Sequence, residues 1–171
     1  MRILCAPLIL GLFALNGCGT FYATPPEGKP AASIAEKENR TGMAWWEFFS
    51  VSQIDDVSVS HMGSSMGGTT VRIEPGTRRI LITARYLHRE NTFVPDQCPC
   101  EALFPILIDL RDGQKLQLDG AFEKNGKVTL RLIDVDTQHP IGRELTQTAR
   151  PVPKTTYVPV RGGGYMPIQV R

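Results

Sequence analysis

Val71-Arg72-Ile73-Glu74-Pro75-Gly76-Thr77-Arg78-Arg79-Ile80-Leu81-Ile82-Thr83-Ala84-Arg85-Tyr86 reads as two strands joined by a tight turn. Thr69 to Glu74 alternates apolar and polar residues, the period of a half-buried strand. Pro75 sets φ and Gly76 tolerates a positive φ, so the pair turns the chain. Arg78 to Tyr86 then places Ile80, Ile82 and Ala84 on one face and Leu81, Thr83 and Arg85 on the other.

The same signals recur on both sides. Glu47 to Ile54 has strand composition, Asp55-Asp56 is a turn signal and Val57-Ser58-Val59-Ser60 alternates again. His61 to Gly68 is a glycine- and serine-rich loop. Downstream, His88 to Cys100 is a longer polar connection. Glu101 to Leu110 follows as a strand in which Pro105 implies an edge or a bulge. Arg111-Asp112-Gly113 turns into Lys115 to Asp119, with Leu116 and Leu118 inward. Asn125-Gly126 is a hairpin signal, and Lys127 to Val135 puts Val128, Leu130 and Leu132 on one face. Asp136 to Pro140 turns the chain once more. Short strands at this spacing predict an all-β fold, a β-sandwich or small barrel of antiparallel strands.

The ends differ in character. Gly19 to Gly42, with Pro25-Pro26-Glu27-Gly28-Lys29-Pro30, reads as a flexible tether in which Ala31 to Glu38 has room for a helical turn. From Thr146 onward, Pro151, Pro153, Pro159, Pro167 and Gly162-Gly163-Gly164 indicate a disordered or extended tail, with room for a strand at Thr155 to Val160. The expected organisation is a signal segment at 1–17, a tether at 18–42, a β-sandwich domain at 43–145 and a Pro/Gly-rich tail at 146–171.

The first residues carry an address. Met1-Arg2 is followed by an apolar run from Ile3 to Leu15, short of the roughly 20 residues a spanning helix needs. A basic start, an apolar middle and small residues before a cleavage point mark a secretory signal. Leu15-Asn16-Gly17-Cys18 resembles the lipobox of bacterial lipoproteins, with Asn16 where Ala or Ser is usual. The resemblance implies cleavage before Cys18 and lipidation of its thiol. Gly19, in place of the Asp that favours inner-membrane retention in such proteins, implies the outer membrane, with the domain facing the periplasm.

The middle of the chain resembles small, uncharacterised Gram-negative envelope lipoproteins with a β-sandwich domain. Val71 to Ile80, Asp112 to Leu118 and Val128 to Asp134 carry that likeness. The Pro75-Gly76 hairpin is similar to that of surface-layer and carbohydrate-associated repeat domains named after a Pro-Glu-Gly-Ala motif, with Leu116 replacing their aromatic residue. These resemblances imply a fold type and an envelope location, and carry over no catalytic residue.

Composition narrows the function classes. The net charge is +2 with no long run of one sign, which argues against nucleic acid as a partner. Of four cysteines, Cys5 falls in the signal and Cys18 at the lipidation site. Cys98 and Cys100 remain, and an oxidising compartment favours their pairing across a tiny loop. His61, Met62 and Met66 share one loop and are of the soft-ligand type that selects Cu(I). Chance explains them better, so no metal or other cofactor is expected. Gly63-Ser64-Ser65-Met66-Gly67 lacks the nucleophile-elbow spacing. Asp55, Asp56, Asp109, Asp112, Asp134 and Asp136 all fall at strand ends or turns, where Asp serves local hydrogen bonding.

The chain is therefore expected to bind rather than catalyse, as an accessory subunit partnered by the membrane and another envelope protein. The alternative is a membrane-tethered copper handler or hydrolase. Trp45, Trp46 and Phe48 are the candidate binding surface, since aromatic residues dominate interface energetics. The competing role is to fill the core wholly or in part, which the balance favours. Arg161, Tyr165 and Met166 in the tail are either a peptide ligand for such a partner or, slightly favoured, a solvated terminus.

Overall fold

The computed structural model describes residues 21–41, 45–60, 69–88, 100–123, 125–152, 154–159 and 165–170. The strands are β1 (Ala32–Ala35), β2 (Lys37–Thr41), β3 (Trp45–Ile54), β4 (Val57–Ser58), β5 (Thr70–Ile73), β6 (Gly76–His88), β7 (Cys100–Leu110), β8 (Lys115–Phe122), β9 (Lys127–Asp134), β10 (Pro140–Thr148), β11 (Arg150–Pro151), β12 (Lys154–Pro159) and β13 (Tyr165–Val170). No helix occurs among the described residues. One sheet runs β11-β7-β6-β3-β2, with β4 paired to β3, and the other runs β10-β9-β8-β1-β5. Together they form an all-β sandwich. β12 and β13 pair only with each other.

The core is what period-two alternation requires. Phe49, Val51, Ile80, Ile82 and Phe104 from the first sheet meet Ile34, Ile73, Leu116, Leu118 and Leu130 from the second, all fully or almost fully buried. Ile80, Ile82 and Ala84 face inward as the sequence requires. The Pro75-Gly76 turn has Gly76 at φ 111°, a conformation that costs glycine little, but it is not the hairpin expected there: β5 and β6 lie in different sheets and do not pair, so the turn carries the chain from one sheet to the other. Pro105 lies on β7 opposite Leu81. On its other side β7 is paired only at Cys100 and Glu101, by β11, so the missing proline N–H costs no ladder bond there.

Several expectations are corrected. The tether expected through Gly42 is already docked at Phe21 and enters a sheet at Ala32: β1 lies between β5 and β8 with Ala32 and Ile34 fully buried. Ala31 to Glu38, where the sequence leaves room for a helical turn but no convincing apolar stripe, is extended, because β5 and β8 supply ladder partners on both sides of β1. β1 runs parallel to β8, so the strands are not all antiparallel. The tail from Thr146 is more ordered than expected: it continues β10 and forms β11, while β12 falls where the sequence allowed a strand at Thr155 to Val160 and pairs with β13, Thr156 opposite Ile168.

Two strands change sheets without a loop. β1 and β2 are separated only by Glu36, and β10 and β11 only by Ala149. The chain therefore crosses from one sheet to the other at both sides of the sandwich, part-way to a barrel. At the first crossing the ladder between β2 and β3 stops at the Lys37–Phe49 pair. The next β3 donor on that side, Val51 N–H, reaches the Glu36 carboxylate instead (2.9 Å). Thr69 Oγ1 donates to the other oxygen of Glu36, and Glu36 N–H donates to Thr69 O at 2.9 Å. Lys37 closes the β8 side, donating to Asp119 Oδ1 at 2.7 Å and to Gly120 O at 2.8 Å. Arg131 donates to the second Asp119 oxygen at 2.6 Å. Side chains thus replace the ladder bonds that the crossing interrupts.

The β3–β4 hairpin turns on Asp55 (φ 49°) and Asp56 (φ 65°). Both sit in the left-handed region that a two-residue hairpin needs and that Asp tolerates better than most residues. Asp55 accepts from Arg79 N–H at 3.0 Å and Arg78 Nη1 at 2.9 Å, and Asp56 pairs with Arg79.

Acid sensitivity follows from two of these carboxylates. The Arg79 amide and the Arg78 guanidinium hold Asp55 below its ordinary value. Burial pushes Asp119 up, but Lys37 and Arg131 outweigh it, and the net shift is downward. A carboxyl whose folded pKa is depressed contributes stability that is complete above its unfolded value and lost as pH falls through the folded one. Both groups start from 3.8. Their contribution is therefore flat at neutral pH and is lost below about pH 4. Urea denaturation as a function of pH should show Asp119→Asn less stable at neutral pH and less sensitive to acid than the native chain. Parallel profiles would contradict this.

Candidate functional site

Alternation along β3 divides the aromatic cluster between two faces. Phe49 points inward and is fully buried. Trp46 and Phe48 point outward, half-buried, with ring centroids 5.9 Å apart and an interplanar angle of 77°, the edge-to-face geometry aromatic pairs prefer. Trp45 pairs with His88 in the ladder. Among the cluster's described side chains Phe49 fills the core, and Trp46 and Phe48 are partly buried. Trp46 and Phe48 lie on the outer face of the sheet.

Register builds a surface around Phe48. Directly opposite partners share a face. Across the sheet Glu38 pairs with Phe48, Phe48 with Arg85, Arg85 with Glu101, and Glu101 with Arg150. One rung thus crosses all five strands as acid, aromatic, base, acid, base. Glu101 is its anchor, with only 12% of its side chain exposed. Arg85 Nε lies 3.7 Å from one carboxylate oxygen and Arg150 Nη2 lies 3.3 Å from the other. Those arginines are 54% and 62% exposed, so their outer edges stay open to a ligand while Glu101 holds the stems. Deeper along the sheet Thr83 donates to Ser52 Oγ at 2.8 Å, and Ser52 donates to Leu81 O at 3.0 Å.

At the opposite edge, β7 and β10 approach each other without pairing. Between them runs a shallow groove of about 280 Å³ lined by Ile106, Ile108, Leu132, Ile141 and Leu145, with Leu107 70% exposed beside it.

Four of the six acidic residues weighed for catalysis are engaged otherwise. Asp55 and Asp56 hold arginines. Asp112 accepts from Ala31 N–H at 2.9 Å. Asp134 accepts from Thr137 N–H at 2.9 Å and Thr137 Oγ1 at 3.0 Å. Those two bonds lower its pKa. Cys18, His61, Met62, Met66 and Cys98 lie outside the described residues. Cys100 opens β7 opposite Tyr86.

Glu101 and Arg150 were not anticipated as surface residues. Alternation does put Arg85 outward, but nothing local says which residues of β7 and β11 stand beside it. Tyr86, on the inner face, packs 5.5 Å from Phe122, and burial followed by the nearby Glu47 pushes its phenol up. No protein family, curated protein or solved structure matches this chain.

Proposed function

We propose that this chain is a lipid-anchored envelope protein, held through Cys18 in a bacterial outer membrane, that acts by binding another envelope protein as an accessory subunit. The observation that carries the reading is Leu15-Asn16-Gly17-Cys18 at the end of a short apolar run with a basic start. The rung of Phe48, Arg85, Glu101 and Arg150 supports a binding role. It sets the half-buried, outward-facing Trp46–Phe48 pair beside two open guanidiniums, the residue types that interface hot spots favour. A disulfide between Cys98 and Cys100 belongs to the same reading, because an exported chain meets an oxidising compartment.

Mass spectrometry of the protein purified from membranes tests the anchor. The expected product starts at Cys18, carries fatty acid and offers no alkylatable thiol before reduction. Cys18→Ala should abolish palmitate incorporation and leave the leader uncleaved. Unchanged incorporation in that variant, or a full-length chain recovered from the cytoplasm, would overturn the proposal.

A further inference from the structure

The described chain is already folded at Phe21, three residues after Cys18. Phe21 bridges Ser58 in parallel, and Tyr22 N–H donates to Ser58 O at 2.8 Å. Tyr22 packs against the core, and its hydroxyl accepts Glu74 N–H at 3.1 Å. Pro25 is buried. No long free tether therefore separates Cys18 from the sandwich. Three residues reach at most about 10 Å, little more than the roughly 5–8 Å headgroup layer of one leaflet.

The register states which end this is. Ser58 pairs with Gln53 at the close of β3. Ile54 pairs with Ile80, and Glu74 with Pro75 makes the neighbouring turn. Trp45 and Trp46 open β3, about 30 Å away at some 3.3 Å per residue. Phe21 itself is 60% exposed, although its neighbour Tyr22 is tied down. Around it Asp55 and Glu74 are paired with Arg78, and Asp56 with Arg79, so no block of unpaired negative charge faces outward from these turns.

From these placements we infer that the Phe21 end of the sandwich rests directly on the lipid surface, with Phe21 in the headgroup layer, and that the Trp46–Phe48 end stands away from it. This rests on lipidation of Cys18. Its consequence is that the partner-binding rung lies toward the far end of the domain, at a height set by the length of β3 and not by a flexible arm. The partner is reached only if it stands close to the membrane itself.

Intrinsic fluorescence in vesicles containing brominated phospholipid tests the orientation. Trp45 and Trp46 are the only tryptophans, so the lipidated native protein reports from the far end, and Phe21→Trp adds a reporter at the near end. The emission added by Phe21→Trp should be quenched about fivefold more strongly than native emission, because the quencher is confined to the hydrocarbon core. Inserting about ten Gly/Ser residues after Gly19 gives a coil of about 17 Å and should abolish that difference. Native emission quenched as strongly as the added emission, or a spacer without effect, would overturn the orientation. Palmitate labelling is read on the same samples: its absence would overturn the anchor and the orientation together, whereas its presence with the wrong quenching would overturn the orientation alone.

Discussion

Gly120→Val is expected to cost about 3 kcal/mol of folding stability. Gly120 is buried opposite Leu130, and the ring of Phe49 lies over it. A Cβ there would stand 2.4 Å from Thr129 O and 2.5 Å from Phe49 Cε1. The first neighbour is backbone in a paired strand. The second is a fully buried ring also packed 5.9 Å from Phe122. Neither can yield without moving the β8–β9 ladder or the core, so overpacking is relieved only by strain. Native stability is commonly only about 5–15 kcal/mol, so such a variant should be marginal. Phe49→Ala should cost about 3–5 kcal/mol from the opposite direction, by opening a cavity. The pair should be coupled: Phe49→Leu should cushion Gly120→Ala by about 1 kcal/mol in a double-mutant cycle. Urea denaturation reads all of these. A Gly120→Ala protein as stable as the native one would show that the ring does not sit over Gly120 in solution.

Glu36→Ala is expected to lose about 3 kcal/mol, more than a half-buried acidic residue ordinarily carries. The reason is where Glu36 stands. The chain leaves one sheet for the other at this residue, and the carboxylate supplies the acceptor that β3 loses when its β2 neighbour ends. Removing it takes acceptors from Val51 N–H and the Thr69 hydroxyl together. Glu36→Gln keeps one acceptor and should cost about 1 kcal/mol. Hydrogen exchange provides the local readout: the Val51 amide should exchange faster in Glu36→Ala, while the Ile82 amide, at the centre of β6, should change only with global stability. Unchanged Val51 protection would refute the role assigned to this side chain.

The legibility of the chain follows the range of the forces involved. The Pro75-Gly76 turn and the β8–β9 hairpin are readable because alternation and turn chemistry act within a few residues: Pro75-Gly76 and Asn125-Gly126 need no distant partner to bend the chain, whereas nothing local says that β5 and β6 leave their turn for different sheets. β1 is a different case. Ala32, Ser33, Ile34 and Ala35 carry too few apolar groups to announce a strand beside a proline-rich segment, and they become one because β5 and β8 supply a ladder on both sides. β10 shows mostly exposed residues, with only Ile141 and Leu145 half-buried. Its pattern is too faint to see without β9 beside it.

The binding surface divides in the same way. The alternation of β3 separates Phe49 from Trp46 and Phe48 locally, and β6 alone turns Arg85 outward. That Glu101 and Arg150 stand in line with Phe48 depends on the register of three further strand pairs and on β11 having crossed from the other sheet. The amino-acid order by itself determined strand chemistry, the tight turns, the inward faces and the lipobox-like segment, since each depends on neighbours along the chain. Only the tertiary structure decided which strands adjoin, where the chain changes sheets, and how close the sandwich begins to Cys18. Those outcomes depend on ladder bonds and buried surface shared between residues far apart in sequence, and no local pattern records them.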